Sequence, residues 1–356
     1  MFAEVGGPHR RGPLEREERR LPMNQLFPVK YGAGIASDLG RILSPAIVVT
    51  QPEPWEMLRN RFGGVPAALI TAESLERTHL EKLVTSLPGD ASCVIGIGGG
   101  TAMDTAKWLH WRMKLKLYQI PSLPSVNACF THMTAIREGD GVRYYGDAIP
   151  EMVFVDYDLM KAAPVHLVRG GIGDVLSCHT ARWDWEYATK RGHGPAWDEF
   201  AAAESLRFIK ELRELAPGLY KGENEAIKRL MELHRVIGKY CDDYGHSRFE
   251  EGSEHFFAYT FEHVTGRTLM HGELVALGVL IMSSLQGNMP ELAREIMREA
   301  GVRHRPGELD LKMDEVERTL LALPEFVKRE KLWYSIANDL TVGDKELSLA
   351  RKALNF

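Results

Sequence analysis

Between about residue 26 and residue 156 the chain alternates short apolar runs with amphipathic stretches. Residues 46–50 (AIVVT), 67–70 (AALI), 93–97 (CVIGI), 117–120 (LYQI) and 152–156 (MVFVD) are mostly apolar, several rich in β-branched side chains, and most are bounded by Pro, Gly or Ser. Such runs predict buried strands. Between them lie helical patterns such as residues 73–87, where Ser74, Glu76 and Thr78 are solvated beside Leu75, Leu80 and Leu83. Strand and helix taking turns imply a parallel sheet covered on both faces. Gly139, Asp140 and Gly141 at the centre of residues 133–145 predict a β-hairpin excursion. After about Pro164 strand-like runs vanish, and helical patterns follow at residues 201–215, 226–240 and 274–285. Breaks are expected at Pro195, Pro217-Gly218, Gly245, Pro290 and Pro306. The pattern therefore predicts an α/β domain followed by an all-α domain, with a boundary near residue 165.

Composition changes this picture little. With 356 residues, 44% hydrophobic and 26% charged, both domains have room for a core. A net charge of -5 gives no sign of a general affinity for nucleic acid or anionic membrane. The four cysteines, Cys93, Cys129, Cys178 and Cys241, show no C-x-x-C spacing, which argues against a disulfide framework or a zinc ribbon and for a reducing cytoplasm. No uncharged apolar run is long enough to span a bilayer. Residues 1–22, rich in Arg, Glu, Gly and Pro, lack a signal peptide's apolar stretch and are expected to form a disordered tail.

Two groups of residues carry candidate chemistry. The first is Gly96-Ile-Gly-Gly-Gly-Thr-Ala-Met-Asp-Thr-Ala-Lys107, where a strand ends in Gly98, Gly99 and Gly100 and a helix begins at once. Glycines admit positive φ and close approach of a ligand, and a helix start offers free N–H groups to a phosphate. The usual dinucleotide fingerprint is absent, because its third glycine would fall on Thr101; no Walker loop follows either. A bare triple glycine also serves as a structural turn, but its place after a buried strand favours a cofactor pyrophosphate. The second group is Asp174, His255 and His271, in the segments GIGDVLS, GSEHFF and HGEL. One carboxylate and two imidazoles suit a catalytic zinc or iron with a position left open. Spacing alone does not link residues so far apart, and a lone histidine is more often structural than a ligand.

Taken together and in this order, the triple glycine with Asp104 and Lys107, the Gly-Ile-Gly-Asp segment, His255 and the His271-Gly-Glu sequence resemble the iron-containing alcohol dehydrogenase and dehydroquinate synthase-like superfamily. The likeness runs from about Val29 (VKYGAG) to roughly residue 290. Within the superfamily the chain is most similar to the glycerol-1-phosphate dehydrogenases, through DVLSCHTARWDW at Asp174, GSEHFF at Gly252 and HGELVALG at His271. The resemblance implies a Rossmann-like dinucleotide-binding domain over residues 23–165 and a helical metal and substrate domain over residues 166–356. It implies that Asp174, His255 and His271 hold one divalent metal, that Gly98, Gly99, Gly100, Thr101, Asp104 and Thr131 serve the cofactor, and that Asn127 meets the substrate. The implied reaction interconverts a secondary alcohol and a ketone on a small polyol or polyol phosphate, with NAD or NADP, in a cytoplasmic homo-oligomer without nucleic-acid or membrane partners.

Departures from the family pattern sharpen the expectation. Many iron-type members have a histidine four residues after the aspartate; here Cys178 stands there and His179 follows. That favours a three-ligand site and zinc over iron, with Cys178 as an alternative fourth ligand. Asn127 replaces the aspartate of the glycerol-type members, which leaves a hydroxyl-binding amide without charge. No acid follows the second strand until Glu53, so NAD and NADP both stay open. Arg137, Arg143, Arg182 and Lys190 are candidates for a phosphate contact. The competing enzyme is a sugar-phosphate cyclase resembling dehydroquinate synthase. That group has a glutamate in place of Asp174, a lysine soon after and a histidine in place of Tyr259, none of which this chain has. A non-enzymatic binding module would be favoured by a missing metal ligand.

Overall fold

The computed structural model describes residues 26–124, 127–138 and 141–355. The expected tail and the centre of the hairpin turn, Gly139 and Asp140, lie outside them. The described chain divides into two compact units, one comprising residues up to Val168 together with His234–Gly245, the other Arg169–Leu233 and residues from His246 onward.

The first unit is built on a six-stranded sheet of β1 (Val29–Gly32), β2 (Ala46–Thr50), β3 (Ala68–Thr71), β4 (Cys93–Gly98), β5 (Lys116–Pro121) and β8 (Met152–Asp156). The spatial order is β1-β8-β5-β4-β2-β3 and every pairing is parallel. β2 and β4 are buried along their whole length, which is why they read as unbroken apolar runs rather than as alternation. On one face Leu39, Leu58, Phe62 and Leu159 pack with Val48, Ile95, Ile97 and Ile120. The helix Gly100–Met113 is buried from Ala102 to Leu109, and a Cβ on Gly96 of β4 would lie 2.9 Å from Ala106 Cβ. β6 (Thr134–Glu138) and β7 (Gly141–Tyr145) form a separate antiparallel pair, the excursion predicted for residues 133–145.

The second unit is helical. Its central helix, His271–Gln286, is buried at every residue from Gly272 to Ser283, as expected of a helix apolar all round. The helix Glu199–Lys221 runs straight through Pro217, which corrects the break expected there. Proline costs one intrahelical hydrogen bond. Here Leu212, Leu215, Ala216 and Leu219 on either side of it are buried, and that packing outweighs the loss. The helix ends at Gly222, in the left-handed conformation.

Candidate metal centre and dinucleotide turn

The helical unit brings Asp174, His255 and His271 together, one ligand atom of each lying within 4.8 Å of the others. Asp174 Oδ1 stands 3.4 Å from His271 Nε2 and 3.9 Å from His255 Nε2. Zinc bonds of about 2.0–2.2 Å to N and O put tetrahedral ligand atoms about 3.3–3.6 Å apart, and both separations from Asp174 come within a few tenths of an ångström of that range. Asp174 and His255 are buried, whereas the His271 side chain is 39% exposed, which leaves the cluster open on one side.

Glycine explains why three distant residues meet. A Cβ on Gly173, the neighbour of Asp174, would fall 2.0 Å from the carbonyl oxygen of Gly272, the neighbour of His271. A Cβ on Gly272 would fall 2.1 Å from the Gly170 oxygen, and one on Gly278 2.4 Å from the Glu254 oxygen, next to His255. Backbone rests on backbone at all three places, so the ligand-bearing segments approach more closely than any side chain would allow.

Behind the ligands stand groups that sequence reasoning missed. Glu254 is fully buried and accepts hydrogen bonds from Thr180 Oγ1 (2.7 Å), the Gly252 amide (2.6 Å) and His255 Nδ1 (3.0 Å). A carboxylate on Nδ1 fixes the proton there and leaves Nε2, the atom nearer Asp174, as the donor to a metal. Burial works to lower the His255 pKa, but the hydrogen bond and charge of Glu254, followed by Asp174 and Glu251, outweigh it and push the value up to about 9. Asp184 accepts from the Ser253 and Ile336 amides, 2.8 and 2.9 Å away, and so anchors the start of the helix Ser253–Thr265. The signal for Glu254 was its place beside His255; for Asp184 and Thr180 the sequence offered none.

Cys178 is not part of the cluster, and burial, reinforced by Glu250, Glu254 and Asp174, holds its thiol pKa well above the ordinary range. His179 is spent on structure, its Nε2 bonded to the Asn288 carbonyl at 2.7 Å. Arg182 and Lys190 both reach Glu186 on their own helix.

In the α/β unit the glycine turn closes as its sequence suggests. Gly98 has φ 146°, where a Cβ would meet Gln51 Oε1 at 2.7 Å and Ala102 Cβ at 3.0 Å. The Gly99 amide donates to Gln51 Oε1 (3.0 Å), so the residue after β2 helps to shape the turn. Gly100 and Thr101 open the helix Gly100–Met113, whose first N–H groups have no intrahelical acceptor. Asp104 points elsewhere: it is buried, 2.7 Å from Lys107 Nζ, and accepts weakly from the Ala135 amide. Lys107 in turn donates to the Met133 carbonyl (2.6 Å) and lies 3.4 Å from Thr131 Oγ1, tying the helix to the loop that precedes β6. Asn127 begins the single-turn helix Asn127–Phe130 in that loop.

Among the described residues no helix is long and apolar enough to cross a membrane. A family model described as iron-containing alcohol dehydrogenase matches residues 58–164. A protein of Hyperthermus butylicus named glycerol-1-phosphate dehydrogenase (NAD(P)+) is 29% identical over 316 residues, which cover 85% of this chain and 90% of that protein. One of the same name from Methanothrix thermoacetophila is 26% identical over 82% of this chain and 86% of its own. The crystal structure of glycerol dehydrogenase from Schizosaccharomyces pombe superposes with a TM-score of 0.68 at 21% identity, covering 93% of this chain and 91% of that one. At that identity the likeness speaks for the fold.

Proposed function

We propose that this chain is a relative of the iron-containing alcohol dehydrogenases it is similar to, and that it acts as a metal-dependent, NAD(P)-linked oxidoreductase. Its reaction interconverts a secondary alcohol and a ketone on a small polyol or polyol phosphate, in the manner of the glycerol-1-phosphate dehydrogenases it is similar to. The observation that carries the reading is the convergence of Asp174, His255 and His271, with one face open at His271.

In this reading those three residues hold the divalent cation, zinc before iron, and the cation supplies Lewis-acid activation of the substrate oxygen when bound. Glu254 keeps the His255 ring in the orientation that turns Nε2 towards Asp174. Gly98, Gly99, Gly100 and Thr101 let the cofactor pyrophosphate approach the helix start, where backbone N–H groups and the helix dipole meet its charge. Thr131 would face the cofactor, and Lys107 holds its hydroxyl and the Met133 carbonyl in place. Asp104 serves the cofactor indirectly, by neutralising Lys107 in the interior. The Asn127 amide hydrogen-bonds a substrate hydroxyl without adding a negative charge, which suits an anionic substrate. A cytoplasmic homo-oligomer completes the reading, and sedimentation of the purified chain tests the assembly.

The deciding experiment follows NADH and NADPH oxidation with dihydroxyacetone phosphate, dihydroxyacetone and simple ketones, before and after chelation and restoration with zinc or iron. Metal-dependent reduction of the phosphate ester is expected. No turnover of any ketone, with metal and nucleotide both bound, would overturn the dehydrogenase reading for these substrates and move the weight to ring-closing chemistry.

A further inference from the structure

The loop between β5 and β6 carries Asn127 and Thr131, and a distant stretch of chain grips it at three points. That stretch is the C-terminal half of the helix Asn224–Tyr244, which clusters with the α/β unit from His234 onward. His234 is fully buried and its Nε2 stands 3.1 Å from the Pro124 carbonyl oxygen. Four residues on, a Cβ at Gly238 would lie 2.7 Å from the Phe130 carbonyl oxygen, so helix and loop backbones touch. Four residues further, Asp242 takes both the His132 amide (3.3 Å) and His132 Nδ1 (2.5 Å) on its carboxylate. Spacing of i, i+4 and i+8 puts His234, Gly238 and Asp242 on one helix face. The far side of the loop is pinned independently, by the Ser122 amide on the Gly98 carbonyl and by Lys107 on Met133.

We propose that this helix face is a positioning clamp, with His234, Gly238 and Asp242 holding the loop so that Asn127 and Thr131 present their side chains to substrate and cofactor. The inference rests on the functional reading above for what the loop touches; the clamping itself stands on the three contacts. A short loop bridging a sheet strand and a hairpin has no core of its own, and a side chain misplaced by an ångström costs a large part of the rate. The clamp supplies the order that the loop's own sequence does not.

The test compares the zinc-loaded full chain with Asp242→Asn, Asp242→Ala and Gly238→Ala. Asparagine keeps an acceptor for the His132 amide but loses the charge, alanine loses both, and the added methyl pushes the loop away. Expected are a graded fall in kcat/KM, about tenfold or more for Asp242→Ala and less for Asp242→Asn, higher KM for nucleotide and ketone, and unchanged zinc content. Amide hydrogen exchange is expected to quicken in residues 127–133 and to stay unchanged in the helix Ser253–Thr265. If the alanine variant does not fold, the asparagine variant's exchange pattern decides. Unchanged exchange in the loop, or kcat/KM within twofold of the parent for every variant, would overturn the clamp. If the parent reduces no ketone, the functional reading fails while hydrogen exchange still tests the clamp.

Discussion

Adding a single methyl group at Gly278 is expected to weaken the metal centre from a distance. Gly278 lies seven residues, two helical turns, beyond His271 on the same face, about 10 Å along the axis. Its Cβ would sit 2.4 Å from the Glu254 carbonyl oxygen and 3.0 Å from Glu254 C and Cα. All three are backbone atoms inside a helix, so no rotamer relieves the contact. Restoring an ordinary carbon–oxygen separation of about 3.3 Å requires the helices to part by about 0.9 Å, an overpacking that costs about 1–3 kcal/mol of stability. Metal sites tolerate errors of about 0.2 Å in ligand distance, so even a quarter of that displacement at His271 is felt. A tenfold to hundredfold loss of zinc affinity is the expected scale, like that for loss of a supporting contact. The assay is competitive chelator titration of Gly278→Ala against the parent, with circular dichroism to confirm folding. Gly307→Ala is the control, because a Cβ there meets nothing within 4 Å. A folded Gly278→Ala protein with zinc affinity within twofold of the parent would refute the idea that backbone contact sets the spacing of the ligands.

Gly98→Ala forces a non-glycine residue to φ 146° and into Gln51; its nucleotide KM should rise about tenfold or more, with metal content unchanged, and an unaltered KM would remove the turn from the cofactor site. Glu254→Gln keeps an oxygen for the Gly252 amide and the His255 ring while deleting the charge; equilibrium dialysis should show about tenfold weaker zinc binding in a folded protein. The chelated, metal-free protein should lose stability as pH rises from neutrality through 9. Its His255 pKa of about 9 lies above the ordinary 6.5, so the stabilising imidazolium is fully present below pH 6.5 and gone above the folded value. The full effect is about 3 kcal/mol, an order-of-magnitude figure. Thermal melts from pH 6 to 10, repeated on His255→Asn, should show the slope in the parent and not in the variant.

Much of this protein is written in its sequence. Mostly apolar runs marked five strands of the parallel sheet, and in β2 and β4, buried along their whole length, no polar alternation is needed. The glycine turn was legible because a strand ending in Gly98 and a helix opening at Gly100 need a residue that tolerates positive φ, a local demand met by local chemistry. Family likeness, more than spacing, joined Asp174 to the two histidines, since no periodicity connects residues dozens of positions apart. Tertiary structure decided what depends on contact between distant backbones. Gly173 against Gly272 and Gly278 against Glu254 set how closely Asp174, His271 and His255 approach, yet as letters they are indistinguishable from any helical glycine. Pro217 looked like a break because proline's local cost is visible in sequence, whereas the burial that offsets it is not. Glu254 became the partner of His255, and residues 234–242 joined the α/β unit, only once the chain had folded. Hydrogen bonds and close packing are properties of pairs, and a linear pattern records only one member of each.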